Sequence, residues 1–151
     1  MSSSLQLAVF GRMALAALFG FAIGLEREVR GKAAGERTFA LLALGASGFT
    51  AVGVELFPAS AEKVMAGVAT GVGFLGAGII WRMQGGPRGL TTAASSWAAT
   101  AIGVLCGVGV YLAAALGTVL VLFILEVENV PGFSVIRRLR SEDEGPPAPS
   151  P

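Results

Sequence analysis

Long apolar runs separated by short polar ones set the plan of this chain. Leu5–Leu25 is apolar except for Gln6 and Arg12, and it ends in Gly24-Leu-Glu-Arg-Glu28. A polar loop over 26–37 follows, then Thr38–Phe57, whose single ion, Glu55, lies at its far end. After a turn at Pro58–Lys63 comes Val64–Trp81, and Gly85-Gly-Pro87 is a strong turn signal before the last run. That run, Leu90–Leu125, would reach about 54 Å as one helix, too long for a hydrocarbon core of about 30 Å. Glycines at 103, 107 and 109 offer a break, which predicts two antiparallel helices, Leu90–Cys106 and Val110–Leu125. The expectation is an all-α bundle of five membrane-spanning helices.

Glycine placement refines this picture. Ala16, Gly20 and Gly24 recur every fourth residue and give the first helix a small face. The third run holds Gly67, Gly71, Gly73, Gly76 and Gly78. In a soluble helix each would cost about 1 kcal/mol relative to alanine, whereas in a membrane missing side chains let backbones approach. The third helix is therefore expected to be the central, tightly packed one. Its Gly71-Val-Gly73-Phe-Leu-Gly76 spells G-x-G-x-x-G but lies mid-span, and no acid follows until Glu126. A dinucleotide site needs a preceding strand and an acid about 20 residues on, so this is a packing motif.

Charge gives the orientation. With the amino terminus outside, the inner side collects Arg27, Arg30, Lys32, Arg37, Arg82, Arg88, Arg137, Arg138 and Arg140, against Lys63 outside and Arg12 within a span. By the positive-inside rule the topology is N-out, C-in. The amino terminus lacks the basic start of a signal peptide, so the first helix is expected to be retained. Residues 1–127 form the membrane domain; 128–151 is a short tail on the cytoplasmic side, expected to be disordered from 141 because it has nothing apolar to bury.

Composition narrows the function classes. The chain has 151 residues, 54% of them hydrophobic and 14% charged, with 22 glycines, one cysteine and no histidine. Soluble domains average about 25% charged residues, so the deviation points to a bilayer. A lone Cys106 excludes an intrachain disulfide, and the lack of histidine excludes a His-based triad or zinc ligand. No phosphate loop or nucleophile–base pair is visible, so no enzyme activity, cofactor, metal or nucleic-acid partner is expected.

What chemistry remains gathers at the inner edge. Glu26 closes the first helix, Arg37 and Thr38 open the second, and Arg88 precedes the fourth, which begins Thr91, Thr92, Ser95 and Ser96. If these helices are neighbours they form a polar pocket facing the cytoplasm, with Glu26 paired to Arg37 or Arg88; otherwise the charges only anchor helix ends. Glu55 reads as an interfacial residue, since a lone carboxylate is a poor Mg²⁺ site. Arg12 either snorkels outward or pairs within the bundle. Cys106 is expected to be buried packing, and Trp97, about two turns into its helix, is expected to pack on another helix.

Five motifs occur in order: Gly24-Leu-Glu-Arg-Glu28, Gly35-Glu-Arg37-Thr38, Gly73-Phe-Leu-Gly-Ala-Gly78, Arg88-Gly-Leu-Thr-Thr-Ala-Ala-Ser95 with Trp97, and Ala101-Ile-Gly-Val-Leu-Cys-Gly107. Together they resemble the membrane domain of the MgtC/SapB family across about Leu5 to Leu125. The resemblance implies a multi-pass bacterial inner-membrane protein tied to growth in low magnesium and, in pathogens, to survival in macrophages. It also implies action on another membrane complex, not magnesium pumping. Two features depart from the pattern. Well-studied members carry a cytoplasmic ACT-like domain after the last span, for which 128–151 is too short. Thr91 stands where the virulence-associated member has an amide.

Two function classes follow. One is a non-enzymatic modulator, acting through contacts with a second copy of itself or with another membrane complex in the bilayer. The other is a small oligomeric transporter or channel using the inner polar pocket. Intramembrane acids on two or more helices would favour transport, and they are nearly absent.

Overall fold

A computed structural model describes residues 2–81 and 89–127, the side chain of Trp81 apart. Five helices follow one another: α1 (Ser3–Val29), α2 (Glu36–Leu56), α3 (Ala61–Trp81), α4 (Leu90–Val108) and α5 (Tyr111–Val127). A single 3₁₀ turn, Pro58–Ser60, joins α2 to α3. The first four are long and apolar enough to cross a membrane, and α5 is a shorter apolar helix of 17 residues. The architecture is the expected all-α membrane bundle.

Local chemistry explains where the helices stop. Ser2 caps α1 by accepting from the Leu5 amide at 3.3 Å. At the other end Gly31, at φ 61°, turns the chain out of the helix, with its amide on the Glu28 carbonyl. Helix α1 thus runs four residues past Leu25, because its terminal charges lie outside hydrocarbon and need not break the helix. Between α4 and α5, Gly109 sits at φ 94° and its amide meets the Cys106 carbonyl, while the Val110 amide returns to Leu105. This Schellman arrangement needs glycine at the left-handed position. It is the break expected within 90–125, and it falls at 109 alone; Gly103 and Gly107 are interior to α4.

Those two glycines have a different task. A Cβ on Gly103 would come within 3.0 Å of the Ala43 carbonyl and the Ala46 side chain, and one on Gly107 would lie 2.7 Å from the Ser47 carbonyl. On the other side of α2, a Cβ on Gly20 would meet the Phe39 carbonyl, and one on Gly24 the Glu36 backbone at 2.9 Å. Helix α2 is therefore gripped between α1, which runs antiparallel to it, and α4, which runs parallel. Ala16, Ile23, Phe39, Ala43, Ala99, Ile102 and Cys106 fill the core between them. Cys106 is buried there as a small apolar side chain.

Helix α3 is peripheral, which corrects its expected central place. Only 11% of its best apolar window is buried, against 50% for α4. A Cβ at Gly67, Gly71, Gly73 or Gly78 would meet nothing within 4 Å among the described residues; Gly76 alone faces a neighbour, Ala93, at 3.7 Å. The physical reason is that glycine permits close approach without attracting it. The helix that closes on a small face is decided by what the other face offers. Trp97, expected to pack on another helix, is 57% exposed. Helix α5 docks through Ala114, Thr118 and Leu125 and turns Leu112, Leu116, Leu120 and Phe123 outward, as expected of a lipid-facing surface.

Candidate functional site

Two polar constellations stand out among the described residues, one at each end of the bundle. At the basic end, Glu26 in the last turn of α1 takes Arg27 on both carboxylate oxygens, with Nη2 to Oε1 at 2.7 Å, and Arg30 Nε at 3.5 Å. Arg27 is buried and Glu26 nearly so. Arg30 reaches across to Glu126 at the end of α5, with Nη2 2.7 and 2.6 Å from its two oxygens. The Glu126 carboxylate raises the Arg30 pKa above its already high ordinary value, first through this hydrogen bond. The ends of α1 and α5 are thereby tied at the surface.

The residues expected to build a pocket take separate places. Glu26 is engaged by its own helix, not by Arg37. Arg37 is 93% exposed, and among the described residues its ion-pair partner is Glu36, at 3.7 Å. Arg37 is the second residue of α2, on an exposed face. Thr38 and Thr91 are exposed, whereas Thr92, Ser95 and Ser96 are buried. Ser95 donates to the Thr92 carbonyl at 3.0 Å and Ser96 to the Ala93 carbonyl at 2.7 Å, so both hydroxyls are satisfied within α4. Arg88, Arg82 and the tail 128–151 lie outside the described residues.

The second constellation was left open in the sequence and is resolved by the structure. Arg12, from the middle of α1, places Nη2 2.8 Å from Glu55 Oε1 and Nη1 2.9 Å from the Gly107 carbonyl. Glu55 is in the last turn of α2, and Gly107 in that of α4, where carbonyls lack intrahelical partners. A cation at that helix end also meets the negative pole of its dipole. One guanidinium thus ties three helices at the end remote from the basic cluster. The signal in the sequence was the pair of lone ions. An antiparallel α1–α2 hairpin, in which Gly20 faces Ala43 and Met13 faces Gly48, brings Arg12 near the end of α2.

Beside these lies an apolar groove between α2 and α3, of 490 Å³, bordered by Leu42, Gly45, Phe49, Gly67, Gly71 and Leu75. Gly67 and Gly71, two of the open glycines of α3, stand in one of its walls.

The family description that fits this bundle is that of MgtC, whose model matches residues 13–130. The chain belongs to the MgtC family. It is 44% identical over 107 residues to Protein MgtC of Salmonella typhimurium, which covers 71% of this chain and 46% of that protein. To Protein MgtC of Brucella abortus it is 43% identical over 111 residues, covering 73% and 47%. The chain spans about half the length of these curated relatives. No solved structure matches it. Family membership and four long apolar helices make this an MgtC-type multi-pass membrane protein. The family match includes Glu26, Arg30, Glu55, Gly107 and Glu126 and begins one residue after Arg12.

Proposed function

We propose that this chain is a non-enzymatic protein of the bacterial inner membrane that supports growth under magnesium limitation by binding another membrane protein through α3. The observation that carries this reading is the contrast among the glycines. Gly20 and Gly24 of α1 and Gly103 and Gly107 of α4 are used up by contact with α2, while Gly67 and Gly71 leave bare backbone on a lipid-facing helix in the wall of an apolar groove. Gly67 and Gly71, four residues apart, make a small-xxx-small face of the kind that admits a second helix closely. The groove is lined almost wholly by apolar side chains, which suits a helix better than a solute path.

The test is Gly67→Leu with Gly71→Leu in a bacterial strain that depends on this protein for growth at low magnesium. A Cβ at either position meets nothing within 4 Å among the described residues, and leucine gains helix propensity over glycine, so protein level should hold and the melting midpoint should not fall. Growth at low magnesium should fall to that of the deletion strain. Normal growth with the doubly substituted protein would overturn the reading.

A further inference from the structure

Most buried or helix-borne hydroxyls here are satisfied by their own helix. Thr70, Ser95, Ser96, Thr100 and Thr118 each donate to a carbonyl three or four residues back, at 2.7 to 3.0 Å. Ser47 and Thr50 do not. Both are 0–1% exposed, and their hydroxyl oxygens have no partner in the protein. Among the described residues one further buried side-chain atom shares this condition, Arg12 Nε. All three residues border Gly107. Arg12 Nη1 donates to the Gly107 carbonyl, and a methyl added to Gly107 would lie 2.7 Å from both the Ser47 carbonyl and Thr50 Cβ. Met13, next to Arg12, rests on Gly48, next to Ser47. Ser47 and Thr50 are three apart and so share one face of α2.

We propose that Arg12 Nε, Ser47 and Thr50 hold an ordered water molecule inside the bundle, completing the clamp between α1, α2 and α4. Buried waters typically make about three hydrogen bonds to groups that otherwise have no partner, and this site supplies three. Water accepts from the Nε–H and from one hydroxyl, and donates to the other. The charge balance selects a neutral ligand. Glu55 already neutralises Arg12, so a halide would add an uncompensated negative charge within the span, and the guanidinium repels a metal cation. Arg12 thus binds α4 directly through Gly107 and α2 both through Glu55 and through water.

The test is a double-mutant cycle on the melting midpoint of the full chain in nanodiscs. Thr50→Val keeps the shape and removes the hydroxyl. Arg12→Lys keeps the charge for Glu55 and puts a methylene where Nε stood. Thr50→Val should lower the midpoint by about 2–4 °C in the natural protein. It should lower it by less than half of that in the Arg12→Lys background, although the two side chains share no direct bond. An unchanged or raised midpoint in Thr50→Val would mean the hydroxyl has no partner and would overturn the proposal. An equal loss in both backgrounds would assign the hydroxyl to its own helix and would overturn it as well. Replacing chloride by gluconate should leave the midpoint where it was. A chloride-dependent midpoint would make the ligand a halide and reject water.

Discussion

Arg12 is the residue on which most polar chemistry in the described bundle turns. Its side chain is 16% exposed and that of Glu55 27%, so the pair is largely withdrawn from water. Removing one partner of such a pair strands the other charge, which typically costs about 3 kcal/mol or more. Arg12→Ala and Glu55→Ala should each lower stability by about that amount in a denaturation series, and Glu55→Gln, which keeps an acceptor, by clearly less. The Arg30–Glu126 pair at the basic end is the contrasting case. Glu126 is half exposed and Arg30 over a third, so Glu126→Ala should leave the midpoint unmoved, since solvent screens such pairs. Because the folded pKa of Arg30 is raised, its share of that pair is fully present at neutral pH. It is lost only in strong alkali, so alkalinisation to pH 9 should not open it.

At the scale of the helix, identical residues have opposite consequences. Gly103→Ala would drive a methyl into the Ala43 carbonyl, and backbone there cannot step aside, so α2 and α4 must separate. Gly71→Ala meets nothing and gains helix propensity of about 1 kcal/mol. The two variants should therefore move the midpoint in opposite directions, Gly103→Ala down and Gly71→Ala up. A drop for Gly71→Ala would put α3 back in the packed core. The same contrast shows what could be read without a structure. Spans were legible because a run such as Val64–Trp81 has no charge to hydrate, and the α4–α5 break because the 90–125 run exceeds a bilayer. The small face Ala16, Gly20 and Gly24 is buried against α2, but the glycines of α3 are not. A sequence records that a backbone is bare, not which helix covers it. Of the partners expected for Glu26, Arg37 is not the one it takes, because Arg27 and Arg30 are nearer along its own helix, and Arg88 lies outside the described residues.

For the whole molecule, the picture is a rigid three-helix unit with a helix left over. Helices α1, α2 and α4 are locked by backbone-close glycine contacts along their length and by the Arg12 clamp at one end. Helix α5 is tied on through Ala114, Thr118 and the Arg30–Glu126 pair. Helix α3 packs on α4 and α2 and leaves Gly67, Gly71, Gly73 and Gly78 without a close neighbour. The proposed partner would dock on α3 without disturbing the core. The most direct test is the mass of the complex extracted from native membranes into nanodiscs, with each component identified, for the natural chain beside Gly67→Leu/Gly71→Leu. The natural chain should carry one defined protein component in fixed ratio, and the double variant should be a bare monomer that melts no lower. A bare monomer in both, or an unchanged complex in the variant, would contradict the account.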